Sequence, residues 1–253
     1  MQQDKRQGRP LHQHRSVEVI TGFQRLAEGS VLYKCEGTVV LVTASVDNSV
    51  PPFLKDSGKG WLTAEYQMHP RSNPVRRERR DGRSKPPSGR TREIERLIGR
   101  SLRAAIDLES FGERSLNIDC DVLEADGGTR TASVTAGWIA TALALHKLYA
   151  QGTLPKPVLR DQVAAISVGH VDGKIAMDLC YAEDSTARVD MNVVGTAKGD
   201  LVEVQGTAEG VAVPRSDMDA MLDLAIEGTK SLCAVQLSAV ERAGVKLERI
   251  LRG

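Results

Sequence analysis

The sequence predicts an α+β fold, with mixed sheets and three main helices in a single domain spanning residues 1–253. Three observations carry this. Strand-like segments gather in groups, near 17–46, 116–123 and 163–205, and do not alternate one by one with helices. Three long segments, near 92–107, 131–149 and 217–243, place apolar residues at helical spacing. No linker divides the chain, and 253 residues suit one large unit.

In chain order, residues 1–15 are polar and lack an apolar period, so they read as a loosely ordered N-terminal arm. Strands follow at Val17–Thr21, Ser30–Cys35 and Thr38–Val46. Glu36-Gly37 separates the last two as a hairpin turn. Residues 47–89 form a long segment rich in Pro, Gly, Ser and Arg, in which only Trp61–Tyr66 looks strand-like. A loop of that length is functional or disordered. The first helix covers Arg92–Asp107, with Ile94, Leu97, Ile98, Leu102, Ala105 and Ile106 on one face. Glu93 and Glu95 then fall in its first turn, where the helix dipole favours negative charge.

Leu116–Leu123 is a strand, with Ile118, Cys120 and Val122 on one face and Asp119 and Asp121 on the other. The second helix covers Thr131–Tyr149, and Gln151-Gly152 ends it. Val163–Val171 and Lys174–Tyr181 flank the hairpin signal Asp172-Gly173. Arg188–Val194 and Leu201–Gln205 pair around Lys198-Gly199-Asp200. The last helix covers Asp217–Ala243, leaving 244–253 as a tail.

Composition excludes several classes. The chain is 41% hydrophobic and 26% charged, ordinary for a globular protein. No apolar run approaches the roughly 18 residues of a membrane span, and no secretory start is present. The four cysteines are widely spread without a CxxC pair, which argues against a disulfide scaffold or a zinc site and suits the reducing cytoplasm. HExxH and GxSxG are both missing.

The net charge of +1 conceals an asymmetry. Residues 71–103 hold twelve basic and four acidic residues, a net of +8, so the remaining 220 sum to −7. Such a local field suits a polyanion such as nucleic acid; the alternative is a solvated loop beside a charged helix face.

Three constellations could carry chemistry. Asp126-Gly127-Gly128-Thr129-Arg130-Thr131 joins a strand to a helix. Its glycines allow close backbone approach, and the helix start offers free N–H groups, so it is an anion site or simply a tight turn in which Thr129 or Thr131 caps the helix. Ser88-Gly89-Arg90-Thr91 offers a second helix-terminus anion site, or again only a cap. Asp184 and Asp190 lie six residues apart, with Glu183 nearby, and converge on a hard cation if the chain between them turns; the alternative is a solvated turn. Two anion sites with a divalent metal fit phosphoryl transfer, where positioning and charge neutralisation are most of the catalysis. No activated nucleophile is visible, which suits inorganic phosphate as the attacking group.

Taken together, PPFLKDSGKGWLTAEYQMHPRS (51–72), SGRTREIERLIGRSLRAAIDL (88–108), IDCDVLEADGGTRTASVTAG (118–137), EDSTARVDMNV (183–193) and VEVQGTAEG (202–210) make the chain resemble the bacterial ribonuclease PH family. These are phosphate-dependent 3′-to-5′ exoribonucleases that trim tRNA ends. The resemblance implies a ribosomal-protein-S5-like α+β fold and a homohexamer built as a trimer of dimers. It implies that Arg90, Gly128, Thr129 and Arg130 bind inorganic phosphate as co-substrate. It implies that Asp184 and Asp190 hold Mg²⁺ or Mn²⁺, and that Arg71, Arg76, Arg77 and Arg80 grip the tRNA body. Asp119, Asp121 and Asp126 match family positions and read as structural, with Asp126 nearest the chemistry. His146 reads as a satisfied structural histidine. Two other function classes stay open: a non-catalytic RNA-binding ring subunit and a small-molecule phosphotransferase. Retention of Arg90, Thr129, Arg130, Asp184 and Asp190 speaks against the first. The +8 segment and the missing glycine-rich ATP loop speak against the second.

Overall fold

The computed structural model describes residues 6, 8–73, 77 and 86–252. Among these, nine strands form two sheets, and three long and two short helices pack on them. The first sheet contains β1 (Val17–Thr21), β2 (Gly29–Cys35), β3 (Thr38–Asp47), β4 (Trp61–Met68) and β5 (Ser115–Glu124), ordered β1-β2-β3-β5-β4. Only the β4–β5 pair is parallel. The second sheet contains β6 (Val163–Val171), β7 (Lys174–Met177), β8 (Val189–Thr196) and β9 (Leu201–Ala208), ordered β7-β6-β8-β9 and antiparallel throughout. All three expected hairpins form, with β8 pairing β9 around Lys198-Gly199-Asp200. Cys35 faces Thr38 across Glu36-Gly37, and Val171 faces Lys174 across Asp172-Gly173.

The helices are α1 (Gly89–Ala104), α2 (Leu108–Phe111), α3 (Thr129–Ala150), α4 (Tyr181–Asp184) and α5 (Arg215–Arg242). α1 starts three residues before the expected Arg92 because the Ser88 hydroxyl accepts the Thr91 N–H at 3.1 Å and closes the end there. Glu93 and Glu95 therefore lie beyond the first turn, contrary to expectation. α3 is buried on nearly every side, from Thr131 to Leu148. A helix buried all round sits between layers. It packs on β2 and β3 on one side and on β6 on the other. Gly29 permits this closeness, since a Cβ there would stand 2.0 Å from the Ala140 carbonyl oxygen. Val163, Ala165 and Val194 of the second sheet join the core around α3, while Ala164, Ile166 and Val168 join Met221, Ala225 and Leu232 of α5.

Two further expectations need correction, the extent of β7 and the looseness of the N-terminal arm. β7 stops at Met177, not at 181, because Asp178 turns left-handed (φ 53°) and the chain enters α4. Arg6 and Gly8–Arg15 are not loose: Arg6 and Arg9 donate to the Met177 carbonyl at 2.9 and 3.1 Å, and Arg15 is buried. The tail is packed as far as residue 252: Val245 and Ile250 are buried, and the Ile250 carbonyl accepts from Val158 and Leu159. The four cysteines are buried, and none of them forms a disulfide.

Candidate active site

A candidate anion site lies where β5 passes into α3. Gly127 and Gly128 both take left-handed φ, 75° and 64°. A Cβ at Gly127 would stand 2.5 Å from the Leu179 carbonyl oxygen, so the turn admits only glycine there. Gly128 is the N-cap of α3, and no side chain caps the helix. The Thr131 hydroxyl instead donates backwards to the Gly128 carbonyl at 2.9 Å. The helix-capping alternative for Thr129 and Thr131 is thereby removed. The first-turn N–H groups, which an α-helix leaves without intrahelical partners, border an open cleft of about 830 Å³.

Arg90, Gly128, Thr129, Arg130, Asp184 and Asp190 all line that cleft. Arg90 comes from the first turn of α1, directly after the cap Ser88-Gly89, and its side chain is exposed. Arg130 is oriented by α1 and β9: its Nη1 donates to Glu93 Oε1 at 3.0 Å and to Gln205 Oε1 at 3.5 Å. Thr129 Oγ1 lies 2.8 Å from Tyr66 Oη. Burial raises the Tyr66 phenol above its ordinary value, with the Thr129 hydrogen bond and the two arginines opposing. Tyr66 thus stays protonated and can donate to Thr129, freeing the threonine hydroxyl to donate into the cleft.

Asp184 closes the short α4 and Asp190 lies on β8, so the six-residue interval does turn as a shared site requires. Burial pushes both carboxyls upward. Asp190 is raised further by the charge of Asp184, while Arg130 and Arg90 oppose. Asp190 Oδ2 accepts a 3.4 Å hydrogen bond from Asn192. Its Oδ1 is buried without a partner. A buried acceptor left unsatisfied beside a second carboxylate fits a divalent cation, and two carboxylates plus substrate oxygens are a usual magnesium arrangement. Among the described residues no cluster of three His, Cys, Asp or Glu could hold a metal by itself. Glu183 turns away: its Oε2 accepts the Cys180 N–H at 3.1 Å, and its Oε1 accepts from Arg6 at 2.8 Å. A second hollow of about 800 Å³ adjoins the cleft, sharing Arg130, Asp184, Asp190 and Asn192.

Of the four arginines expected to grip RNA, Arg77 lines the cleft, whereas Arg71 is exposed outside its lining. Arg76 and Arg80 lie outside the described residues. Asp126 does not line the cleft itself: its Oδ1 accepts the Tyr181 N–H at 3.1 Å, joining the glycine turn to α4. His146 departs from the satisfied role expected of it, because its Nδ1 is buried without a partner. Sequence reasoning missed Tyr66, Glu93, Gln205 and Asn192 as supports of the site. All four fall inside stretches already singled out, but nothing along the chain says what their side chains reach.

Two arginines and a helix terminus facing a carboxylate pair, on an α+β scaffold, make a candidate site with the charge arrangement that phosphoryl transfer on an anionic substrate needs. Family models described as "3′ exoribonuclease family, domain 1" and "domain 2" match residues 13–146 and 161–238. The chain belongs to the 3′ exoribonuclease family. It is 50% identical over 233 residues to ribonuclease PH of Syntrophomonas wolfei, covering 92% of this chain and 97% of that protein. Among solved structures, rice (Oryza sativa) Rrp46 is similar with a TM-score of 0.73 at 15% identity, over 94% of this chain and 99% of that one. An Archaeoglobus fulgidus exosome chain, from a structure with RNA bound to the active site, is similar with a TM-score of 0.73 at 23% identity, over 90% of each. Both share the fold. Among the described residues, no helix is long and apolar enough to cross a membrane.

Proposed function

We propose that this enzyme is a phosphate-dependent 3′-to-5′ exoribonuclease that trims the 3′ ends of precursor tRNA in the cytoplasm and runs in reverse to add nucleotides from diphosphates. One observation carries the reading: Arg90, the Gly128–Arg130 helix start and the Asp184–Asp190 pair share one cleft, with Asp190 Oδ1 unpartnered. Arg90, Arg130, the Thr129 hydroxyl and the first-turn amides bind inorganic phosphate and hold it against the terminal phosphodiester. An oxygen of hydrogen phosphate attacks the terminal phosphorus, the bond to the 3′-oxygen of the preceding nucleotide breaks, and that oxygen leaves as a hydroxyl, taking up the proton that the attacking phosphate gives up. The products are a nucleoside diphosphate and an RNA one residue shorter. Asp184 and Asp190 would hold Mg²⁺ or Mn²⁺, which when bound supplies charge neutralisation at the scissile phosphodiester. The basic segment around Arg71, Arg76, Arg77 and Arg80 grips the RNA body, supported by the local charge of +8 and by Arg77 in the cleft wall.

The whole chain acts as one domain, a reading supported by the core that α3 shares with both sheets. It assembles as a homohexamer, a trimer of dimers. Exosome-core assemblies among its structural neighbours and exposed apolar side chains at Phe23, Leu26 and Val211 support an oligomer.

The test incubates the protein with a tRNA carrying a short 3′ extension and Mg²⁺, with and without inorganic phosphate, and identifies released nucleotides by chromatography. Diphosphates released only with phosphate are expected. Monophosphates released without it would mean hydrolysis and overturn the roles given to Arg90 and Arg130.

A further inference from the structure

The Arg15 side chain is only 2% exposed, whereas the other described arginines are half-buried or exposed. Its Nε and Nη2 donate to Asp178 Oδ2 and Oδ1 at 3.0 and 2.7 Å, a two-pronged fork, and its backbone N–H donates to Oδ2 at 2.7 Å. Its remaining donors leave the pair. Nη1 reaches the Asp126 carbonyl at 2.7 Å, and Nη2 the Gly127 carbonyl at 3.4 Å. Those carbonyls belong to the turn that presents Gly128, Thr129 and Arg130 to the cleft. A Cβ on Gly128 would stand 3.0 Å from Arg15 Nη2, so the guanidinium lies directly beneath that turn.

Asp178 is buried behind the cleft, at the start of the segment that leads to its opposite wall. It is a left-handed non-glycine residue (φ 53°), a conformation that persists only when the surroundings hold it. Six residues later the chain reaches Asp184. Arg9 Nη2 donates to the Asp178 carbonyl at 2.9 Å, and Arg6 to Glu183 on α4 at 2.8 Å. The N-terminal segment thus touches both walls from behind.

Resting on the proposed phosphate and carboxylate roles, we infer that Arg15 and Asp178 are positioning residues whose buried fork sets the spacing between the phosphate-binding turn and the segment carrying Asp184. An ion pair kept for stability alone has no need of loop carbonyls as its third partner, and buried pairs are often replaceable by apolar groups without loss of stability. Here the fork organises a turn that has no other cation beneath it among the described residues. The Thr38 hydroxyl, donating to the Gly127 carbonyl at 2.7 Å, is the neutral companion.

The test uses two variants of the full chain. Arg15→Lys keeps the charge but cannot bridge two carboxylate oxygens and a carbonyl together. Asp178→Asn keeps the shape and removes the charge. Four readouts are taken: the KM for phosphate, the KM for RNA, the RNA affinity without phosphate, and the rise in melting temperature produced by phosphate alone. In both variants the KM for phosphate should rise about 10- to 100-fold, the scale of an ångström's misplacement. The phosphate-induced melting shift should shrink with it, while RNA affinity stays within about twofold, since only the phosphate turn is displaced. Lower melting temperature with unchanged phosphate response would make the pair merely structural and overturn the inference. So would variants that no longer fold. If the parent itself shows no phosphate response, the functional reading falls and takes this one with it. If the parent responds and the variants match it, only the inference falls.

Discussion

Replacing Asp190 by Asn should make the metal-free protein more stable and its metal response weaker. In the folded chain the Asp190 carboxyl is raised by burial first and by the charge of Asp184 second. A carboxyl whose folded pKa lies above its unfolded value opposes folding while ionised, and acidification through the folded value relieves the strain. Asn removes that charge with little change in shape. Its Oδ1 can accept the hydrogen bond that Asn192 now donates to Asp190 Oδ2, and its amide fills the place of the unpartnered Oδ1. The amide finds no partner there either, so the gain comes only from removing the half-buried charge and its repulsion with Asp184, and about 1 kcal/mol is expected. For a chain of this size that is about 2–4 °C in melting temperature. The assay is thermal melting without metal and across a Mg²⁺ series, followed by activity on the extended tRNA. At tenfold excess over its dissociation constant, a bound ion stabilises the parent by about 1.4 kcal/mol, and the variant should lose most of that rise. A variant that melts below the parent without metal, or gains as much from Mg²⁺, would refute the reasoning.

The remaining predictions concern single side chains. Arg130→Ala should lower kcat/KM for phosphorolysis at least about 10²-fold, as loss of a charge-stabilising group does, and retained activity would remove Arg130 from the phosphate site. Tyr66→Phe should raise the KM for phosphate about 2- to 10-fold, the worth of one hydrogen bond, with the KM for RNA unchanged. Arg77→Ala should flatten the dependence of log affinity on log salt by roughly one unit or a little less, measured by RNA titrations at several ionic strengths; an unchanged slope would mean no phosphate contact there. Asp107 is held below the usual carboxylate range by the Ser110 hydroxyl first and by Arg160 and Arg252 as well, against its burial. It therefore stabilises the protein above the unfolded value near 3.8, and that contribution is lost as pH falls through the lower folded value. Asp107→Asn should lower the melting temperature at neutral pH and reduce its fall below about pH 4, followed by melting across pH.

Much of this protein is legible in its order of residues. The three long helices could be read because Ile94, Leu97, Ile98 and Leu102, and their counterparts elsewhere, repeat at a period set by the helix itself. The hairpins could be read because Glu36-Gly37 and Asp172-Gly173 are local turn chemistry. The chemistry-bearing residues were named for the same reason: a glycine turn before a helix, an arginine beside a cap and two carboxylates six apart are patterns within short stretches. Boundaries were less legible. α1 was placed three residues late because the apolar stripe begins after the Ser88 cap, and β7 was drawn too long because nothing local announces that Asp178 turns left-handed.

What surrounds the chemistry could not be read along the chain. Arg15 reaches Asp178 across 163 positions and Asp126 across 111, Tyr66 reaches Thr129 across 63, and Arg130 finds Gln205 75 positions away. Nothing in a polar N-terminal segment distinguishes a buried arginine from a solvated one. The sequence alone determined which elements form and which residue types could bind phosphate or metal, because propensity, period and turn chemistry act within a few residues. The tertiary structure alone decided that Glu183 turns away from the site, that Asp190 Oδ1 is left unpartnered and that the N-terminal segment is pinned behind the cleft. Hydrogen bonding and desolvation depend on distance in space, and that distance exists only once the two sheets have closed around α3.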